Sequence, residues 1–154
     1  MLSKEERKLR NEAFWDGFKL SMKKKMSSNG RRVNWTNYPT GIKNCYLRMI
    51  CDGKITTVCF DLQFKDDGVR SIVWEQLEEL KKVMEDRMKH PTLWKYNVEG
   101  PDGKNFSRIQ WDISELNFYQ DNDWPLIYAF FKSRLTEFDM FYQEFKDILI
   151  NLVE

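Results

Sequence analysis

Histidine is nearly missing from this chain, with one in 154 residues, and cysteine occurs only three times. A lone histidine at a helix end argues against a histidine-ligated metal site and against a nucleophile–histidine relay. Cys45 and Cys51 share one predicted strand, roughly 20 Å apart at strand rise, while Cys59 falls on the opposite face, so neither a zinc cluster nor a disulfide framework is expected. No run of about 18 apolar residues occurs, which argues against a membrane-spanning helix. The first residues, Met1-Leu2-Ser3-Lys4-Glu5-Glu6-Arg7, contain no apolar signal-peptide core, and a cytoplasmic location is the expectation. A glycine-rich phosphate loop and a nucleophilic triad are also absent. No cofactor and no metal are expected.

What the chain does have is ring-bearing side chains and charge. Hydrophobic residues make up 42% and charged residues 32%, the composition of one folded domain over residues 1–154. The net charge of +1 conceals an asymmetry: residues 1–54 hold 13 Lys/Arg against 5 Asp/Glu, and residues 55–154 hold 12 against 19. The basic N-terminal third is either a binding surface or one side of a fold in which the charges intermix.

Periodicity sets the order of elements. Ser3-Lys4-Glu5-Glu6 matches a capping box that opens a first helix, predicted to run to about Met26 with Leu9, Ala13, Phe14, Phe18 and Met22 on its apolar face and Trp15 at the edge. Asp52-Gly53 predicts a two-residue type I′ hairpin that sets Cys45, Leu47, Met49 and Cys51 on one face with Val58, Phe60 and Leu62. The opposite face then carries Tyr46, Arg48, Thr57, Cys59 and Asp61. In that register Cys51 faces Lys54 and Leu47 faces Val58. A second helix is predicted from the acidic cap at Asp66-Asp67 through Leu77, Leu80, Met84 and Met88 to the stop at Pro91. A second hairpin spans about Leu93 to Ile113, with Trp94, Tyr96 and Val98 expected on one face with Ile109 and Trp111, Phe106 out of phase and a bulge expected near Ser107. The last helix carries an apolar seam through Tyr128, Phe131, Leu135, Phe138, Tyr142, Phe145, Leu149 and Leu152. The predicted fold is α+β in the order helix-hairpin-helix-hairpin-helix, a four-stranded antiparallel sheet with helices packed mainly on one face.

Three candidate chemistries follow. The loop Arg31-Arg32-Val33-Asn34-Trp35-Thr36-Asn37-Tyr38, with Arg48 nearby, interleaves cations and rings in the manner of a single-strand nucleic-acid contact. The competing reading of that loop is a lid whose Trp35 and Tyr38 fold back over the core. The sheet face with Tyr46, Arg48, Lys95 and Arg108 offers a second platform unless a helix covers it. Asp61 followed by Gln63-Phe64-Lys65, with Asp112 on the other hairpin, is a degenerate outline of a metal-dependent nuclease, with Gln where magnesium needs a carboxylate. The C-terminal seam also suits a homodimer or another protein partner.

Four motifs carry a resemblance over nearly the whole chain. They are Phe14-Trp15, Asn34-Trp35-x-Asn37-Tyr38-x-Thr40-Gly41, Tyr46-x-Arg48-Met49 and Asn122-Asp123-Trp124-Pro125. Together they resemble a bacterial domain family of unknown function, number four-two-six-eight in the series of such domains, in its short free-standing form. Other members carry a similar domain behind a nuclease-like region, so the resemblance implies an accessory role near nucleic acid or defence systems. It implies no catalytic residues. The expected function is a non-enzymatic binding or interaction module contacting nucleic acid through Arg31, Arg32, Trp35, Tyr38 and Arg48.

Overall fold

The computed structural model describes residues 1–154. Helix α1 spans Lys4–Met22, strands β1 and β2 span Cys45–Cys51 and Ile55–Leu62, and helices α2 and α3 span Asp67–Glu79 and Lys81–Met88. Strands β3 (Leu93–Glu99) and β4 (Asn105–Ser114) follow, then a 3-10 turn at Asp121–Asp123 and the long helix α4, Trp124–Val153. The four strands form one antiparallel sheet in the order β1-β2-β4-β3. No helix is long and apolar enough to cross a membrane.

The capping box forms, with the Ser3 hydroxyl oxygen accepting the Glu6 N–H at 3.1 Å. Helix α1 nevertheless stops at Met22, short of Met26. Lys25 N–H bonds back to Met22 O at 3.0 Å, and the Lys25 carbonyl accepts the indole N–H of Trp35 at 3.0 Å. A tertiary donor therefore takes the carbonyl that another helical turn would have used. The predicted second helix breaks at Leu80, whose φ of −91° and ψ of −2° lie in the bridge region. The bend keeps Leu77 and Met84 fully buried on either side of it.

The first hairpin keeps its faces but slips its register. Cys51 pairs with Thr56, Leu47 with Phe60 and Cys45 with Leu62, two residues along from the predicted partners. Gly53 does not take the positive φ that a type I′ turn demands. Instead the Asp52 carboxylate accepts the N–H groups of Lys54 and Ile55 at 2.7 and 2.9 Å, closing an Asx turn in a longer loop. Those donors also hold its pKa below the ordinary value. A slip of two leaves every side chain on its own face, since strand periodicity is two.

The bulge lies on β3, between Lys95 and Val98, opposite the predicted position. Trp94 pairs with Ile109, but beyond the bulge Val98 pairs with Phe106. Phe106 thus stays in phase along β4, and the extra β3 residue turns Val98 to join it. Arg70 of α2, 3% exposed, reaches into this irregularity and donates to Tyr96 O at 2.5 Å and Ser107 Oγ at 2.8 Å.

Rings assemble the core. Phe138 and Tyr142 of α4 meet Phe60 at centroid distances of 5.0 and 5.7 Å, and Phe138 also meets Trp111 at 5.9 Å. Helix α1 lays Trp15 parallel on Phe131 and sets Phe14 edge-on to Tyr128 at 5.0 Å. Trp74 of α2 contacts Trp94 and Tyr96. Burying one such ring contributes about 1.5–3 kcal/mol. The α4 seam is filled within the chain at Phe131, Leu135, Phe138, Tyr142 and Leu149, while Leu152 stays exposed.

Candidate functional site

The loop after α1 divides the five predicted binding residues. Trp35 and Tyr38 are 4% and 5% exposed, so both rings act as lids over the core. Tyr38 is held by its hydroxyl, which donates to Asp139 Oδ1 at 2.5 Å and accepts the Gln143 amide at 2.9 Å. Burial, and then the bond to Asp139, raise the Tyr38 pKa well above that of an ordinary phenol. Asp139 is itself buried on α4 and accepts Ser27 Oγ at 2.8 Å and the Ser28 N–H at 2.7 Å. Arg31 and Arg32 are exposed on the adjoining turn.

Arg48 stands in a different setting. It projects from β1 with its side chain 46% exposed, and its guanidinium lies over the Tyr46 ring at 4.5 Å. The one acid within ion-pair range of it is Asp61, with Nε 4.0 Å from Oδ2, beyond hydrogen-bonding reach. Asp61 is fully buried and already committed. Arg108 of β4 grips it in a two-point fork, Nε to Oδ1 at 2.7 Å and Nη2 to Oδ2 at 2.9 Å. That fork raises the Arg108 pKa further. Two arginines therefore share one carboxylate, and the surplus positive charge resides on Arg48.

A groove of about 520 Å³ opens beside these groups. Trp15 of α1, Asn37 and Tyr38 of the loop, Tyr46 and Arg48 of β1, and Arg108 of β4 line it. That volume falls in the usual range of ligand sites. Of the predicted residues the groove gathers Tyr38 and Arg48 and leaves Arg31, Arg32 and Trp35 outside its lining. Trp15 and Asn37 had no chemical signal in the sequence as site residues, although both lie in motifs that carry the family resemblance. Tyr46 and Arg108 were legible through strand alternation.

The carboxylates of the nuclease-like outline are occupied differently. Asp61 is sealed under Arg108, and Asp112 Oδ1 accepts Thr57 Oγ1 at 2.7 Å and Gln110 Nε2 at 2.9 Å. No group of three or more His, Cys, Asp or Glu side chains is close enough to hold a metal ion. Gln63 and Lys65 instead line a second cleft of about 460 Å³ with Lys104, Asn105 and Phe106. The thiols of Cys45, Cys51 and Cys59 are pushed up to about 12 by burial, which keeps them protonated and poor nucleophiles.

The model of a family described as Domain of unknown function (DUF4268) matches residues 10–146. No curated protein and no solved structure matches the chain.

Proposed function

The chain belongs to the DUF4268 family, and we propose that it is a non-enzymatic binding module that contacts nucleic acid through the groove beside β1. The observation that carries this reading is Arg48, a half-exposed guanidinium stacked on Tyr46 with no hydrogen bond inside the chain. Its planar fork of donors suits a phosphate, and the ring beneath it suits a base or sugar. We further read the helices as packed on the Phe60 and Trp111 side of the sheet. Their ring contacts with the strands fall on that side, through Phe60, Trp94, Tyr96 and Trp111. The side that carries Tyr46, Arg48 and Arg108 is then left to a ligand.

Fluorescence anisotropy of labelled single- and double-stranded DNA and RNA tests this reading, at low and at physiological salt. Binding is expected to weaken with salt and to fall about tenfold in Arg48→Glu, since one phosphate contact is lost and its charge reversed. Arg31→Glu/Arg32→Glu is expected to cost less, as those side chains lie outside the groove. Absence of binding at low salt, or an Arg48→Glu variant that binds like the native protein, overturns the proposal.

A further inference from the structure

Two arginine–aromatic pairs lie in series across one face of the sheet. The register aligns Tyr46, Asp61, Arg108 and Lys95 in a row running from β1 through β2 and β4 to β3. Arg108 lies over the ring of Phe106 at 5.1 Å, as Arg48 lies over Tyr46 at 4.5 Å. Phe106 and Arg108 are two positions apart on β4 and so share that face. Phe106 in turn lines the second cleft, together with the exposed Lys65 and Lys104. The groove and the second cleft are therefore the two ends of one path, bridged by Arg108 and Phe106. Of the acids along it, Asp61 is neutralised by Arg108, and Asp102 has one oxygen occupied by the Lys104 N–H at 3.0 Å.

We infer that this path is a track for a single strand of nucleic acid, entering at Arg48 and Tyr46 and leaving over Phe106 toward Lys65 and Lys104; the inference rests on the groove's reading as a nucleic-acid contact. From the level of Arg48 to Lys104 the track is ~22 Å long at ordinary strand rise and spacing. That length holds about four nucleotides, the short end of single-strand sites. The single-stranded form follows from the chemistry. Tyr46 is 38% exposed and Phe106 half-buried, and rings on a sheet stack only on bases that are not already stacked and paired in a duplex. The face is a four-stranded sheet, wider than the helix or two-stranded ribbon that a major groove admits. Cations at both ends with rings between them match a backbone that carries phosphates beside every base.

The test uses the full chain and fluorescent oligo-dT and oligo-rU of about eight nucleotides, with a duplex for comparison. Lys65→Glu/Lys104→Glu, both exposed positions, is compared with Arg48→Glu, each checked for native folding by circular dichroism. The single strand is expected to bind about tenfold tighter than the duplex, and each variant is expected to weaken it severalfold. Photocrosslinking from 5-iodouracil placed at successive positions is expected to label peptides containing Tyr46 and Phe106 from nucleotides several places apart. A preference for either sugar supports the track and names its source. Duplex binding as tight as single strand, or an unaffected Lys65→Glu/Lys104→Glu variant beside a weakened Arg48→Glu variant, overturns the track while the groove stands. No binding of any nucleic acid overturns both.

Discussion

The Tyr38 hydroxyl donates to the Asp139 carboxylate at 2.5 Å, joining two residues 101 positions apart in the sequence. Through the same carboxylate α4 also holds Ser27 and Ser28, so a single buried side chain fastens both ends of the segment that walls the groove. Asp139→Ala leaves three donors without an acceptor. The expected loss is about 3 kcal/mol of unfolding free energy, read from urea denaturation. A loss below about 1 kcal/mol would mean that water replaces the carboxylate and the segment is not fastened there.

Gly17 of α1 is kept small by Tyr128 of α4, whose hydroxyl donates to Phe14 O at 2.6 Å and occupies the space a Cβ would need. Gly17→Ala is expected to destabilise the protein by about 1 kcal/mol, because the lost hydrogen bond and displaced ring outweigh the better helix propensity of alanine. In a Tyr128→Phe background the hydroxyl obstruction is gone and the nearest ring carbon lies 3.3 Å from the added Cβ, so the same substitution should cost clearly less. Thermal melts of the four proteins decide it. Equal effects in both backgrounds would remove the coupling.

Arg70 is a buried cation that donates to Tyr96 O and Asn97 Oδ1 at the β3 bulge and to Ser107 Oγ of β4, and its ring contact with Tyr96 is 4.2 Å to the centroid. Arg70→Met fills similar volume but leaves Tyr96 O and Ser107 Oγ without that donor. The expected loss is about 2–4 kcal/mol, with faster hydrogen exchange confined to the β3–β4 hairpin. Unchanged exchange there would show that the bulge is set by strand pairing alone.

Stability should fall steeply in alkali. Burial holds the thiols of Cys45 and Cys59 at about 12 in the fold, while an unfolded thiol ionises near about 8.5. Folded values raised above unfolded ones mean that the native state keeps its protons longer. Stability is therefore complete below about pH 8 and is lost progressively as pH rises toward 12. Near pH 10 the two thiols together give a slope of about 2.7 kcal/mol per pH unit. Cys45→Ala/Cys59→Ala is expected to flatten the decline of melting temperature between pH 8.5 and pH 10, a range below most of the tyrosine contribution. An unaltered slope would place the titration elsewhere.

Much of the fold was legible because its signals are local. The Ser3 cap, the Asp66 cap that accepts the N–H groups of Gly68 and Val69, and the alternation along both hairpins all depend on neighbours in sequence. Where the fold departs from those signals, a contact that the pattern does not show overrules them, distant at Trp35 and local at Asp52. Trp35 claimed the Lys25 carbonyl and ended α1 early, and Asp52 closed a longer turn than Asp-Gly implied. At the β3 bulge Arg70 supplies donors that no strand pattern announces.

The site was legible in part. Basic residues beside rings pointed to the loop from Arg31 to Tyr38, but sequence proximity cannot say whether a ring faces water or the core. Trp35 and Tyr38 were taken inward by Lys25 and Asp139, while Tyr46 and Arg48 stayed outward by strand alternation.

Backbone periodicity and capping chemistry, acting within a few residues, were enough to set the α+β class, the four antiparallel strands and the aromatic seam of α4. The strand register, the bend at Leu80 and the meeting of Trp15, Asn37, Arg48 and Arg108 around one groove emerge in the folded chain. The reason is physical. The β2–β4 register and the site geometry are fixed by hydrogen bonds and packing between segments far apart in the chain, which no pattern within a few residues records.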